Sequence, residues 1–272
     1  MPGVIHVPYP YPYRCPFRSD TPQECAENIL GYIEDWIFKK LVDPEEVAAF
    51  LLEPILGEGG YVVPPREFMS GLRKLSDKYG ILIIVDEVQC GMGRSGRLLA
   101  IEHFGIRPEL IALAKGIASG FPLGALVGKS DIMTLPPGTH ASTFGGNPVS
   151  LAAARATLRR LLGGLMDNAT KMGRYIIERF YEMMDKYEII GDVRGLGLMI
   201  GVELVKDRAS KEPASKELEN VINNCFKRGV LVIGAGMSTI RIAPPLCITD
   251  EQVDEALEII EDEISKANRR IC

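Results

Sequence analysis

Histidine is scarce in this sequence, three in 272 residues, and neither the histidines nor the six cysteines form a recognisable metal motif. No C-x-x-C pair occurs, and scattered thiols of this kind suit a reduced, cytosolic protein. No apolar run is long enough to span a bilayer. The opening stretch, MPGVIHVPYPYPYRCPF, lacks a charged region followed by an apolar one, so no secretion signal is predicted. Basic charge is not in surplus either. The formal net charge is −5, which argues against nucleic acid as the main partner, because phosphate binding needs a basic face. There is no internal repeat and no low-complexity segment. These absences lead to an expectation of a cytoplasmic protein with no membrane, nucleic-acid or metal partner.

What remains is ordinary globular composition, 46% hydrophobic and 25% charged, in a chain long enough for one large domain or two modest ones. The repeated Tyr-Pro steps near the start predict irregular structure, since proline cannot donate to a ladder and restricts its neighbour. TPQE then opens a helix. Thr21 serves as N-cap, Pro22 takes the first helical position, and Glu24 completes a capping box. Cys25, Ile29, Ile33, Trp36 and Ile37 follow at helical spacing. VAAFLLEP reads as a short buried strand, and PPREFMSGLRKLSDKYG as an amphipathic helix stopped by Gly80. ILIIVD, PELIALAK and GALVG read as further strands. Apolar strands alternating with helices predict a parallel sheet covered on both faces. Residues 148–186 read as helix in two pieces broken near LGGL. Beyond them, LGLMIGVELV, VLVIGAG and STIRIAPPL are strand-like, with helices at about 214–228 and 250–268 by apolar spacing. Thr249 and Gln252 give the last helix another capping box.

The strand ILIIVD raises a chemical question, because it delivers Asp86 and Glu87 at its end. In P-loop ATPases such an acid serves Mg²⁺, but that reading requires G-x-x-x-x-G-K-[ST]. The one candidate, LGALVGKS, has Leu123 where the first glycine belongs, and it follows the acid in sequence. A second strand end carries Lys115 into a glycine-rich stretch. Taken alone, a lysine there is an ordinary solvated residue. Strand ends of a parallel α/β sheet, however, gather at one crevice, the usual ligand site. A lysine that attaches covalently to a cofactor, with a carboxylate facing a pyridinium nitrogen, is the minimum set for pyridoxal phosphate chemistry. The carboxylate keeps the ring nitrogen protonated, because an opposite charge at contact favours the charged form.

The motifs VDEVQCGMGRSG, FGIRPELIALAKGIASGFPLGALVG and HASTFGGNP, in this order, resemble the class III pyridoxal-phosphate-dependent aminotransferases of fold type I. The resemblance is strongest to the branch holding 4-aminobutyrate, ornithine and acetylornithine aminotransferases, and it runs over essentially the whole chain. It implies an α/β fold: a mainly parallel large-domain sheet, incomplete here, over residues 1–160, a connecting helix over 161–186, and an α+β small domain over 187–272. The implied cofactor is pyridoxal 5'-phosphate. Lys115 would hold it and move protons as general base and acid. Asp86 would pair with the ring nitrogen, Val88 would pack on a ring face, and Gln89 would hydrogen-bond the phenolic oxygen. Residues 86, 88 and 89 converge only if the chain turns after Asp86. Thr143 would bind the cofactor phosphate of a neighbouring subunit, implying a homodimer, and it also lies in a turn before the helix at Pro148. Arg241 would bind a substrate carboxylate, for which a guanidinium fork is suited. Glu58 would pair with Arg241 when the amino donor has no carboxylate there. Glu53 is assigned to supporting structure and Glu87 to capping or ion pairing. Glu109 stands where the family usually has Asp.

The family's first third, with its S-G-x-E-A phosphate turn, is not found upstream of Asp86. The expectation is therefore a truncated chain, with Met1 an internal start or the start of a truncated gene model. Small-molecule amino and 2-oxo acids are the implied substrates: an amino donor like 4-aminobutyrate or ornithine, and an acceptor such as 2-oxoglutarate. Two other readings stay open. An amino-acid racemase or epimerase of the same family would use the same lysine and cofactor, and a catalytically incomplete fragment would act only with a partner chain.

Overall fold

Thr21 opens the first helix as its sequence predicts. Its hydroxyl accepts the Glu24 N–H at 3.1 Å, with Pro22 in the first turn. The reciprocal bond is displaced by one residue, because Glu24 Oε2 accepts from the amide of Asp20 at 2.8 Å. The computed structural model describes residues 2–271, so Met1 and Cys272 lie outside the described residues. Helix α1 (Pro22–Gly31) continues through a π-helical segment (Tyr32–Ile37) into the short α2 (Phe38–Lys40). Cys25, Ile29, Ile33 and Ile37 are buried, but Trp36 is 53% exposed. A π-helical turn carries more residues than the 3.6 of an α-helix, so the apolar spacing that the sequence suggests no longer maps onto one face.

The chain divides into two compact units. The first comprises residues 2–54, Val63–Gln89 and Ile101–Arg155; the second comprises Ile55–Val62, Cys90–Ala100 and residues 156–271. In the first unit, β1 (Ala49–Leu52), β2 (Leu82–Asp86), β3 (Leu110–Leu113) and β4 (Ala125–Gly128) form one sheet in that order. The first three strands are parallel and β4 is antiparallel to β3. Helix α3 (Arg66–Tyr79) ends at Gly80, whose φ of 69° gives the left-handed C-cap that glycine adopts without a steric cost. It packs on β2, where Ile83 and Val85 are buried at alternate positions. The predicted cover on both faces is not complete, because Leu51, Leu126 and Val127 are exposed. These residues lie on β1 and β4, the edge strands, which have a neighbour on one flank only.

Helix α4 (Pro148–Arg160) and helix α5 (Met166–Lys186) are separated at Gly163 and Gly164, which leave helical geometry, Gly164 with a φ of 116°. The break falls where LGGL predicts it. Ala169, Met172, Ile176, Phe180 and Met183 of α5 are buried in the core of the second unit. That core is completed by an antiparallel sheet in the order β5 (Ile190–Leu196), β6 (Met199–Leu204), β8 (Thr239–Ile242), β7 (Ile233–Ala235). Helices α6 (Ser215–Lys227) and α7 (Asp250–Asn268) add Val221, Leu257 and Ile264 to it. The Thr249–Gln252 capping box is present in full. Strand β5 is not anticipated by the sequence reading. It lies against α5, and a Cβ on Gly173 of α5 would come within 2.0 Å of the Gly197 carbonyl oxygen. Among the described residues, no helix is long and apolar enough to cross a membrane. Among them, too, no group of three or more His, Cys, Asp and Glu side chains is placed to hold a metal ion.

Candidate active site

Strands β2 and β3 are parallel neighbours, with Asp86 in register with Ala112. Their carboxyl ends therefore open on the same side of the sheet, bringing Asp86 and the segment that begins at Lys115 to adjacent strand ends. The Glu87 amide donates to Ala112 O at 3.0 Å, extending the pairing one residue past the strand. The chain then turns. Asp86 Oδ1 accepts the Val88 N–H at 2.9 Å, a local side-chain bond that replaces the ladder and ends the strand alternation. Val88 and Gln89 follow in this turn, both half-buried. Glu87 is fully buried, and its Oε1 accepts the Ile101 amide at 2.7 Å, in the 3-10 turn Ala100–Phe104. Its role here is to cap that turn.

Lys115 follows the end of β3 with a φ of 45°, in the left-handed region. A non-glycine residue held there stores backbone strain, and such residues cluster at functional sites. Ala114 before it is extended, and Ser119 and Gly120 after it also take positive φ, so the chain reverses sharply around the lysine. The Lys115 side chain is exposed. Thr143 lies exposed in the irregular segment between β4 and α4. Just beyond it, Asn147 caps α4: its Oδ1 accepts the Ser150 N–H at 2.9 Å, ahead of Pro148 at the first helical position.

In the second unit, Glu58 Oε1 accepts from Arg241 Nη1 at 2.8 Å. Arg241 projects from β8, and Glu58 lies in the segment Ile55–Val62. That segment closes on itself through the Leu56–Val62 bridge and is tied to the sheet edge by the Gly236 amide, which donates to Glu58 O at 2.8 Å. Arg194 also holds it, donating to Gly60 O through Nε at 3.0 Å and Nη2 at 2.6 Å. The two partners of the ion pair differ in exposure: the Arg241 side chain is 18% exposed and the Glu58 side chain 75%. The guanidinium carbon lies 5.2 Å from the ring centroid of Tyr61, which is almost fully buried. Burial raises the Tyr61 phenol above its ordinary pKa, and the nearby cations of Arg241 and Arg94 only partly oppose this, so the ring stays neutral. Arg94 donates to Leu198 O at 3.1 Å and Pro244 O at 2.6 Å, and its burial lowers its pKa from the usual arginine value.

Sequence reasoning missed Tyr61 and Arg94 as neighbours of Arg241. The sequence marks each only as a residue beside glycines, a tyrosine directly after Gly59-Gly60 and an arginine inside GMGRSG, and does not connect either with Arg241. Glu53, assigned to supporting structure, has its carbonyl oxygen bonded by the Tyr9 hydroxyl at 2.9 Å.

The family described as class III aminotransferase matches residues 1–264. The chain is 43% identical over 267 residues to leucine/methionine racemase from Thermococcus litoralis, covering 96% of this chain and 59% of that relative. It is 39% identical over 223 residues to acetylornithine aminotransferase from Caldanaerobacter subterraneus subsp. tengcongensis, covering 82% of this chain and 54% of that relative. Among solved structures, an amine transaminase from an uncultivated Pseudomonas species in its pyridoxal-phosphate-bound form superposes with a TM-score of 0.85 at 33% identity, over 98% of this chain and 61% of that one. The chain thus spans little more than half the length of the relatives it matches. The strand-end carboxylate of Asp86 and the strained Lys115 beyond the neighbouring strand are groups of the kind that pyridoxal phosphate chemistry needs. The chain belongs to the class III aminotransferase family, built on fold type I, for which pyridoxal 5'-phosphate is the cofactor.

Proposed function

We propose that the intact protein transfers an amino group from a donor such as 4-aminobutyrate or ornithine to a 2-oxo acid such as 2-oxoglutarate. The observation that carries this reading is the Glu58–Arg241 pair. Arg241 is held over Tyr61, whereas the Glu58 side chain that pairs with it is mostly exposed. Transamination asks one pocket to accept two unlike molecules in turn. With Glu58 swung away, Arg241 receives a carboxylate of the 2-oxo acid in a bidentate fork. With Glu58 on it, the guanidinium is neutralised for a donor whose reacting end carries no carboxylate.

The remaining roles are proposed from the same family pattern. When bound, pyridoxal 5'-phosphate supplies an electron sink for the carbanion left by loss of the Cα proton. Lys115 would hold the cofactor and, as general base and acid, would move the proton taken from substrate Cα. Asp86 holds the proton on the ring nitrogen, while Val88 covers a ring face and Gln89 bonds the phenolic oxygen. Thr143 serves the phosphate group in a neighbouring subunit.

A second reading draws support from the similarity to leucine/methionine racemase. There the same lysine returns the proton to Cα, and no 2-oxo acid is consumed. Protein reconstituted with pyridoxal 5'-phosphate separates the two. Glutamate formed from 2-oxoglutarate and 4-aminobutyrate or ornithine supports transamination. Conversion of L-leucine or L-methionine to the D-form without a 2-oxo acid, with no amino transfer, rejects it for racemisation. In either case Lys115→Ala is expected to abolish both turnover and the borohydride-fixable attachment of the cofactor.

A further inference from the structure

Strands β5, β6 and β8 place Arg194, Gly201 and Arg241 in one row across the sheet, because Arg194 is in register with Gly201 and Gly201 with Arg241. Directly opposed residues of antiparallel strands share a face. The next row on that face is Asp192, Glu203 and Thr239. Val193, Val202 and Ile240 lie between the two rows and belong to the core on the other face. The segment Ile55–Val62 crosses the first row at Gly201, where a Cβ would come within 2.8 Å of Gly60 O and 3.2 Å of the Tyr61 Cβ. Two arginines thus flank one peptide. On one side Arg241 lies over the Tyr61 ring and pairs with Glu58. On the other, Arg194 donates to Gly60 O through both Nε, at 3.0 Å, and Nη2, at 2.6 Å. Nη2 also donates to Thr239 Oγ1 at 3.1 Å, and Nη1 to Asp192 at 2.7 Å and Glu203 at 2.8 Å. Gly60 has a φ of 121°, and a Cβ there would meet Arg194 Nη2 at 3.0 Å, so the guanidinium lies directly against this glycine.

We infer that Arg194 is a positioning residue for the carboxylate-binding end of the site: its grip on the Gly60 carbonyl fixes Tyr61 beneath Arg241 and Glu58 beside it. The inference rests on the reading of Arg241 as the group that receives a substrate carboxylate. The Gly60 carbonyl and the Tyr61 amide share one planar peptide, so fixing the oxygen fixes the plane from which Tyr61 departs. Tyr61 has a φ of 56°, a left-handed conformation that a non-glycine residue keeps only where its surroundings hold it. The Arg194 fork supplies that hold. Charge gives the second argument. A second guanidinium on the face of Arg241 would compete with it for Glu58 or for a substrate carboxylate. Asp192 and Glu203 meet the Arg194 charge, and Glu203 is buried. Arg194 therefore acts as a fork of donors, and Arg241 presents the charge. Lysine is no substitute, because an ammonium lacks the planar fork that reaches one carbonyl, a hydroxyl and two carboxylates at once.

The test uses the full chain and two variants. Arg194→Lys keeps a cation beside the buried Glu203 but lacks the fork. Arg194→Met combined with Glu203→Gln removes both charges together, so Glu203 is not left as an uncompensated buried carboxylate. Hydrogen exchange read by mass spectrometry reports on the amides of Leu56, Gly60, Tyr61 and Val62, which are bonded within their own segment. Both variants are expected to speed exchange in residues 55–62 several-fold and to leave β6 and α7 unchanged. Modification of Arg241 by phenylglyoxal, followed by peptide mass spectrometry, is expected to quicken several-fold as Tyr61 and Glu58 loosen around it. Arg228, paired with Glu263 at 2.9 Å away from this face, should keep its rate. If one variant loosens the second unit as a whole, the other decides. The inference is overturned if both variants loosen the whole unit equally, if residues 55–62 exchange as slowly as in the wild type, or if the Arg241 rate does not change. Glutarate separates this result from the reading it rests on. If this dicarboxylate fails to slow Arg241 modification in the wild type, Arg241 is not a carboxylate receptor, whereas the exchange result still decides what Arg194 holds.

Discussion

Lys115 shows how one backbone angle marks a residue that composition leaves unremarkable. At a φ of 45° it is held where a lysine is rarely found, and the reversal around it turns its side chain out of the sheet's strand pattern. Asp86 on the neighbouring strand end is the second half of the proposed site. Asp86→Asn keeps the shape but removes the charge proposed to hold the ring proton. One charge-assisted bond contributes about 1.5–3 kcal/mol, so turnover is expected to fall roughly ten- to a hundred-fold. Unchanged turnover in a reconstituted variant would remove Asp86 from this role. The Glu58–Arg241 pair makes a directional forecast. Single-turnover mixing, followed by the cofactor spectrum, reads each half-reaction separately. Arg241→Ala should weaken the 2-oxoglutarate half far more than the donor half, and Glu58→Ala should impair the donor half preferentially. Equal losses in both halves for both variants would return Arg241 to a structural role.

At the scale of elements, two departures from the sequence reading have specific causes. Strand β5 carries Asp192, Arg194 and Gly195, which dilute the apolar signal of a buried strand. The structure tolerates these charges because Arg194 Nη1 pairs with Asp192 at 2.7 Å and with the buried Glu203 at 2.8 Å, and because Arg194 Nη2 reaches Thr239 at 3.1 Å. Of these partners Glu203 and Thr239 come from other strands, so the residues of β5 alone do not show how its charges are met. Trp36 is exposed because a π-helical segment replaced the expected helical turn. Glu109, at the entry to β3, gives the element-scale prediction. Its carboxylate is 7% exposed and joins α3, β2 and the residue after β4: it accepts from Arg73 Nη1 at 3.1 Å, Ile83 N at 2.8 Å and Lys129 Nζ at 3.0 Å. Burial pushes its pKa up, but these donors outweigh it and hold the group below its ordinary value. A carboxyl depressed in the folded state adds stability above its unfolded pKa and loses it as pH falls through the lower, folded value. Glu109→Gln should therefore cost about 1.5–3 kcal/mol in urea unfolding at neutral pH. The gap to wild type should narrow as pH falls below about 4.3. A gap that stays constant down to acid pH would show that the carboxylate charge contributes nothing.

For the whole molecule, assembly is the open physical quantity. Thr143 is exposed, and its proposed phosphate contact is to a neighbour's cofactor, so the active unit of the intact enzyme is expected to be a two-fold dimer. Sedimentation of the active species tests this, and full activity in a monomer would refute the shared site. The exposed Leu51, Leu126 and Val127 belong to the same scale, because cover for an edge strand must come from beyond its own hydrogen-bonded neighbours.

The sequence alone determined those features whose causes are local. The Thr21 and Thr249 caps, the Gly80 stop and the break at Gly163-Gly164 each depend on residues within one turn of chain. A mainly parallel sheet holding ILIIVD and PELIALAK was also legible, because apolar runs alternating with helices leave few arrangements. Tertiary structure decided the rest. The left-handed backbone at Lys115 depends on the reversal around it, and the unequal exposure of Glu58 and Arg241 depends on segments distant in sequence. Tyr61 beneath Arg241 and Arg194 beneath Gly60 likewise join residues that no short-range pattern connects. The physical reason is range: caps and turns are set by neighbouring dihedrals and short side chains. Burial, charge pairing and strain at a site are set by which distant groups the packed chain brings into contact.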